Sequence, residues 1–301
     1  MKKILIVLTV IACFFTVCTA ETAIHVTDML GREIILSEPA TRIVALTAAD
    51  CEILCALGCE EALVGRGEYC DYPLSVLEKP SVQSGYNTNI EEIIALQPQV
   101  VLMATMAQTT EQADALSAAG IETVISDAQD IEGVYTSIRL IGSLMGKNPE
   151  AEALILEMQS AFSRIAAASK NTGKTVYFEV SPLQWGLWTA GNGTFMDELA
   201  EMCGLTNAFA DVDGWGQISE EQVLERNPDY IVTITMYYGE GPTPVEEILG
   251  RNGWENLTAV RNNQILNADS NEISRPGPRL MTAAETLFNF VYGDTELVPA
   301  A

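Results

Sequence analysis

Two glutamates hold equivalent places in two copies of one sequence unit. NIEEIIALQPQVVLMATM runs from Asn89 to Met106 and SEEQVLERNPDYIVTITM from Ser219 to Met236, 130 positions on with no shift of register. Glu91 matches Glu221, Pro98 matches Pro228, and Thr105-Met106 matches Thr235-Met236. Each unit reads as a short helix, a proline that ends it, a strand and a Thr-Met step. Asn89 and Ser219 are good N-caps, and Glu92 and Gln222, three residues on, complete the expected capping boxes. Glu91 and Glu221 then fall at the second helical position with no capping duty. Two roles are open to them: complementing the positive end of the helix, or offering one exposed carboxylate per copy to arginines of a partner.

Other reactive groupings are sparse. The single histidine, His25, falls on an expected N-terminal hairpin, which leaves no Ser-His-Asp site and no multi-histidine metal site. No HExxH or GxxxxGK[ST] occurs, and Gly65-Arg66-Gly67, Gly191-Asn192-Gly193 and Gly239-Glu240-Gly241 lack the third glycine of a dinucleotide loop. Carboxylates are abundant, so a hydrolytic pair stays open, but no spacing singles one out. Beyond residue 20 five cysteines remain, Cys51, Cys55, Cys59, Cys70 and Cys203, an odd number that argues against a full disulfide framework. The first three recur at helical spacing on one face, where they serve either as small buried hydrophobes or as thiolate ligands.

The aromatic residues suggest a ligand site. Tyr69 and Tyr86 follow expected strands of the first half, and Trp185, Trp188 and Trp215 fall within 31 residues of the second. Met236-Tyr237-Tyr238 follows another strand. Aromatics in loops between α/β elements are suited to grip a ligand. Arg66 and Arg275 could meet anionic groups of that ligand.

The elements that would position these residues alternate. Residues 24–37 read as a hairpin, and strands are expected at 42–47, 62–65, 100–103, 122–126, 175–180, 230–234 and 264–267. Helices are expected at 49–57, from Ile90, near 111–119, and at 131–145, 149–169, 195–203, 219–226 and 279–292. The longest carries its apolar residues Ala153, Ile155, Met158, Phe162 and Ile165 along one side. Short apolar strands alternating with amphipathic helices mean parallel α/β layers. The layout is lobe, long helix, lobe: residues 21–147, 148–172 and 173–301. The chain has 301 residues, 48% hydrophobic and 19% charged, enough for a core in each lobe.

Residues 1–20 read as an export signal, a charged Met1-Lys2-Lys3 followed by an apolar run from Ile4 to Val17. Cleavage fits after Ala20. Cys18 is a candidate for lipidation, although Phe15 and Val17 are poor flanking residues; Cys13 has the better flanks and leaves a very short leader. A net charge of -25 disfavours nucleic acid and anionic lipid, and a highly anionic ligand unless a local arginine cluster offsets the field.

Five stretches in order, VTDMLGREIILSEPATRIVAL (26–46), EILCALGCEEALVGRGEYCDYP (52–73), NIEEIIALQPQVVLM (89–103), GWGQISEEQVLERNPDYIV (214–232) and RPGPRLMTAAETLF (275–288), carry a resemblance. The chain resembles the helical-backbone class of ABC-transporter substrate-binding proteins, which serve iron-siderophore, haem and cobalamin uptake. The resemblance implies two Rossmann-like α/β lobes joined by one backbone helix. It implies an exported, monomeric, non-catalytic receptor with no cofactor of its own, since any metal enters inside the ligand. By motif position Glu91 and Glu221 become the contacts to arginines of the membrane permease. The stretches from Tyr69 to Pro73 and from Gly214 to Ser219 are similar to those of cobalamin-binding members, which makes Tyr69, Trp215 and Trp188 ligand-facing. Ala104 departs from that pattern, where a cobalamin binder has tryptophan. The implied ligand is a cobalamin-type corrinoid or a ferric siderophore; haem, with Tyr69 or Tyr86 on its iron, is the alternative within the class. Outside the class, the alternative is a secreted hydrolase with a carboxylate pair in the cleft.

Overall fold

A computed structural model describes residues 23–105 and 108–293. The expected signal and Met106 lie outside the described residues. The chain opens with an antiparallel hairpin of β1 (Ile24–Thr27) and β2 (Glu33–Leu36), turned at Gly31 with φ +78°. Asp28 pins the turn, accepting from the Leu30 and Arg32 backbone N–H groups and from the Arg32 guanidinium.

The first lobe is a five-stranded parallel sheet of order β5-β4-β3-β6-β7, with β3 Ile43–Ala45, β4 Leu63–Gly67, β5 Ser81–Val82, β6 Val100–Met103 and β7 Glu122–Ile125. Its helices are α1 (Ala48–Ala56), α2 (Ile90–Ala95), α3 (Thr110–Ala118) and α4 (Ile131–Leu144). Next comes α5, Asn148–Ala168, 21 residues and about 32 Å long at 1.5 Å per residue. In the second lobe β8 (Thr175–Glu179), β10 (Thr206–Asn207), β12 (Tyr230–Thr233) and β13 (Ile265–Asn267) form a parallel sheet of order β10-β8-β12-β13. A separate antiparallel pair joins β9 (Trp188–Ala190) to β11 (Trp215–Gln217). The helices here are α6 (Phe195–Met202), α7 (Glu220–Arg226), α8 (Pro244–Leu249), α9 (Thr258–Arg261), α10 (Ser270–Ile273) and α11 (Leu280–Tyr292). The fold is thus mixed α/β with parallel sheets.

The two sheets share one topology. In each the first parallel strand of the lobe, β3 or β8, lies inside the sheet with later strands on both sides, so the chain crosses from one side to the other at β3/β6 and at β8/β12. The sequence repeat carries through to the backbone. Helices start at Ile90 and Glu220, strands at Val100 and Tyr230, and a left-handed residue precedes each proline, Gln97 at φ 51° and Asn227 at φ 46°.

One apolar cluster runs through both halves. It includes Ile53 and Leu54 of α1, Ile138 and Ile141 of α4, Ile155, Met158 and Ile165 of α5, Leu199 of α6 and Leu287 of α11. Burial along α5 falls at Ala151, Ile155, Met158, Ala161, Phe162 and Ile165; Ala153, expected on this face, is exposed. Ala151 takes its place because α4 comes close there, at Gly142, where an added Cβ would lie 2.6 Å from that of Ala151. Separate clusters fill the outer faces of the two sheets.

Beside the shared apolar cluster the lobes also meet through charge. Glu52, on α1, is 4% exposed and accepts from Arg279 Nε and Nη2 at 2.9 and 2.6 Å and from Arg275 Nη1 at 2.9 Å. Arg275 also reaches Asp71 at 2.7 Å, and the Arg279 guanidinium lies 4.3 Å from the centre of the Tyr72 ring. A carboxylate this deep is tolerated because charged donors satisfy both its oxygens. Glu52→Gln leaves two guanidiniums short of one negative charge. It should lower the unfolding free energy by about 3 kcal/mol in urea titrations; a loss below about 1 kcal/mol would show that the clasp is not a stabilising contact.

Candidate functional site

A cleft of about 600 Å³ lies between the lobes. Its walls come from the loops beyond the carboxyl ends of strands in both sheets: Thr47 and Asp50 after β3, Ala104 after β6, Ser126 to Gln129 after β7, Val180 and Ser181 after β8, and Ile234 after β12. Both crossover points therefore open into it, the usual position of a ligand in an open α/β sheet. Trp188, Phe195, Met196 and Trp215 add an apolar wall, and Ser137, Ser274, Arg275 and Pro276 complete the lining.

Trp188 and Trp215, expected in loops, sit on β9 and β11, the small antiparallel pair. The strands are only three residues each and are flanked or interrupted by glycine, so they leave little trace of strand periodicity in the sequence. At Gly191 a Cβ would fall 2.0 Å from the Val212 carbonyl oxygen, so the turn behind Trp188 admits no side chain. Trp215 packs on Phe195 with ring centroids 5.4 Å apart. Its indole Nε1 donates to Gln129 Oε1 across the lobes at 3.1 Å, and the Gln129 carbonyl accepts from the Phe195 N–H at 2.9 Å. Gln129 thereby fixes the floor.

Several expected ligand residues stand elsewhere. Arg66 is buried in its own lobe, and its Nη1 donates to the carbonyls of Gly67 and Cys70. It folds back because β4 ends there and leaves those carbonyls without strand partners. Tyr69 and Tyr86 are 71% and 80% exposed and are absent from the cleft wall; it is their backbone carbonyls that anchor, accepting from Arg275 and Gln112. Trp185, on a short turn at 183–185, is 76% exposed and also outside the cleft. Met236 lines a second hollow of about 380 Å³ with Tyr237, Tyr238 and Pro244. Arg275 does reach the cleft, but its charge is taken up by Glu52 and Asp71.

The carboxylates of the wall carried no signal in the sequence beyond their position after strands. Asp50 is 1% exposed in the first turn of α1, with the Thr47 hydroxyl donating to it at 2.5 Å. Burial pushes its carboxyl up to about 7, and the charge of Asp127 adds to the rise. Both acids belong to the first lobe. The second lobe contributes no carboxylate to the wall, so no acidic pair faces itself across the cleft.

The docking candidates lie on the outer surface. Glu91 and Glu221 are exposed, each second in its helix. Ser219 and Gln222 form the expected reciprocal cap. Asn89 caps only one way, accepting from the Glu92 N–H at 3.3 Å. Its own N–H donates to the Gln83 carbonyl at 3.1 Å, so Glu92 has nothing to close on. In the second unit Glu220 accepts from Trp254 Nε1 at 3.0 Å, which commits it to the core and leaves Glu221 outward. The Glu221 backbone N–H and then the Ser219 hydroxyl hold its carboxyl below the usual range.

The five cysteines past residue 20 are free. Cys59, expected on the face of Cys51 and Cys55, falls beyond α1, because Gly58 at φ +71° turns the chain away. Among the described residues no group of His, Cys, Asp and Glu is arranged to hold a metal, and no helix is long and apolar enough to cross a membrane.

The periplasmic binding protein family model matches residues 43–272, well over half the chain. The chain belongs to that family. An ABC transporter substrate-binding lipoprotein of Bacillus subtilis is 32% identical to this binding protein over 279 residues, 90% of this chain and 86% of the relative. A vitamin B12-binding protein of Salmonella choleraesuis is 28% identical, with 83% of this chain and 90% of that one covered. Among solved structures, an ABC-type Fe3+-hydroxamate transport system from Saccharomonospora viridis superposes with a TM-score of 0.73 at 25% identity, covering 89% of this chain and 98% of that one. These relatives are named as binding or transport components.

In the folded binding protein Asp50 holds its proton to higher pH than in the unfolded chain. The folded state thus carries an extra proton between pH 4 and 7, and Asp50 makes stability fall as pH rises through that window. Asp50→Asn should flatten the decline relative to the parent chain in thermal melts taken across pH 4 to 8. Parallel curves for the two proteins would contradict the assignment.

Proposed function

We propose that this binding protein is the non-catalytic, extracytoplasmic receptor of an ABC importer. It captures a bulky, partly apolar metal chelate between its lobes and hands it to a permease that docks on Glu91 and Glu221. The observation that carries the reading is the cleft itself: a preformed space at both crossover points, one wall aromatic and the other lined with small polar side chains. Such a wall grips a large ligand by apolar contact and orients it by a few hydrogen bonds. No protein metal site is required, since the metal arrives inside the ligand.

A cobalamin-type corrinoid and a ferric siderophore both suit this wall. The Salmonella relative is named for the first and the Saccharomonospora structure for a ferric hydroxamate. Haem fits less well, because the cleft wall holds no histidine, tyrosine or cysteine for its iron, and Tyr69 and Tyr86 lie outside it. The hydrolase alternative needs carboxylates on both sides of a substrate; here both are on one wall, and Asp50 is buried against Thr47. Docking on exposed carboxylates is supported by their equivalent positions in the two lobes and by their exposure at the helix starts.

Tryptophan fluorescence should be quenched when cobalamin or a ferric hydroxamate is titrated into the protein, and Trp215→Ala should weaken that affinity about tenfold; no quenching by either chelate would defeat the ligand reading. Glu91→Arg with Glu221→Arg should leave ligand affinity within about twofold while uptake in cells falls to background. Normal uptake by the double variant would rule out the docking role.

A further inference from the structure

The charge of the cleft is set by very few groups. Among the described residues only Asp50, Asp127 and Arg275 in its wall are ionisable. Arg275 has little left for a ligand. Its Nη1 donates to Glu52 at 2.9 Å and Asp71 at 2.7 Å, and its Nη2 to the Tyr69 carbonyl at 3.1 Å and Asn271 Oδ1 at 2.8 Å. Those bonds use four of the five N–H groups of a guanidinium and leave only Nε–H. Around the clasp two cations, Arg275 and Arg279, face two anions, Glu52 and Asp71. Their charges cancel, so the field inside the cleft comes chiefly from Asp127; the buried Asp50, which holds its proton up to about pH 7, adds less.

Asp127 is the exposed member of that pair. It is half-buried just beyond β7, and its carboxylate accepts from the Thr105 hydroxyl and from Gln129 Nε2 at 3.3 Å. Both donors are neutral, so its charge is undiminished. Asp50 sits behind it, fully buried and held by Thr47. The charge of the whole chain, -25, has the same sign.

We infer that the cleft selects its chelate by charge, accepting neutral and cationic chelates and excluding anionic ones, with Asp127 enforcing the exclusion. The inference rests on the chelate-receptor reading above and narrows it. Within that class the ligand is a neutral corrinoid or a ferric hydroxamate of zero or positive charge. Triscatecholates, polycarboxylate siderophores and haem with ionised propionates are shut out, because each would bring uncompensated anionic oxygens toward a carboxylate. Arg275 cannot rescue them without giving up the interlobe clasp.

The test uses one ferric trihydroxamate core in three charge states: a cationic form with a free amine, its neutral N-acetyl derivative and its anionic N-succinyl derivative. Neutral cobalamin and a corrinoid with one amide hydrolysed to carboxylate give the same comparison in the other ligand class. Titrations of the full chain are read by tryptophan fluorescence in 0.5 M salt, which screens the long-range field and leaves the local one. The parent protein should bind neutral and cationic members about thirtyfold or more tighter than the anionic member of the same class. Asp127→Asn and Asp127→Ser, each checked for folding by circular dichroism, should shrink that ratio about tenfold. Equal binding of the anionic member by the parent, or an unchanged ratio in both variants, overturns the inference. If folded protein binds neither class in any charge state, the receptor reading falls and this inference falls with it.

Discussion

Glu52 is a carboxylate buried where two lobes meet, and the structure is arranged around the need to keep it charged and paired. A lone ionised carboxylate at that depth would be prohibitive. Arg279 grips it in a fork and Arg275 adds a third bond, so two side chains of the second lobe close on one residue of the first. The consequence reaches the ligand site. Arg275 is the one cation in the cleft wall among the described residues, and the clasp consumes its charge. The pairing that joins the lobes thereby leaves the cleft under the influence of Asp127, with the buried Asp50 behind it.

Next to the clasp the join is apolar. The cluster that links α1, α4, α5, α6 and α11 has no break between the halves. Moving one lobe against the other would expose part of that surface at about 25 cal/mol per Å². The apolar weld and the charged clasp both oppose a change in the width of the cleft. Such a receptor trades large closure for a preformed pocket, which lowers the ordering cost of binding. It also fixes the geometry between α2 and α7, a requirement if two glutamates are to meet two sites on one permease.

Much of this was legible because it was local. The repeat of Asn89–Met103 in Ser219–Thr233 predicted a helix, a break and a strand in each lobe, and the backbones agree down to left-handed Gln97 and Asn227. Periodicity over many residues also revealed α4, α5 and α11. The site was less legible. Trp188 and Trp215 were expected at the ligand from loops; they line the cleft, but from strands too short for alternation to register. Arg66, Tyr69, Tyr86 and Trp185 had the right chemistry in loops near strands, yet their directions depend on the backbone they fold against. Arg66 turned to the carbonyls of Gly67 and Cys70, which no pattern in the sequence advertises. Glu52 was unreadable for the same reason. Its partners are more than 200 residues away, and nothing in EILCALG marks the glutamate as an interlobe contact.

The sign of the charge connects the two surfaces of the receptor. An exposed carboxylate at a helix start suits an arginine of a partner, and a chain at -25 presents that sign widely. The same excess would draw cations and repel anions at the cleft unless the wall supplied its own positive charge. A receptor for anionic chelates solves that problem with free arginines. Here the arginines nearest the cleft are spent on Glu52 and Asp71, so no local charge reverses the global one. The proposed docking and the inferred selection therefore pull in one direction: the acidity that would offer Glu91 and Glu221 to a basic partner would also leave the cleft fit for chelates that bring no negative charge.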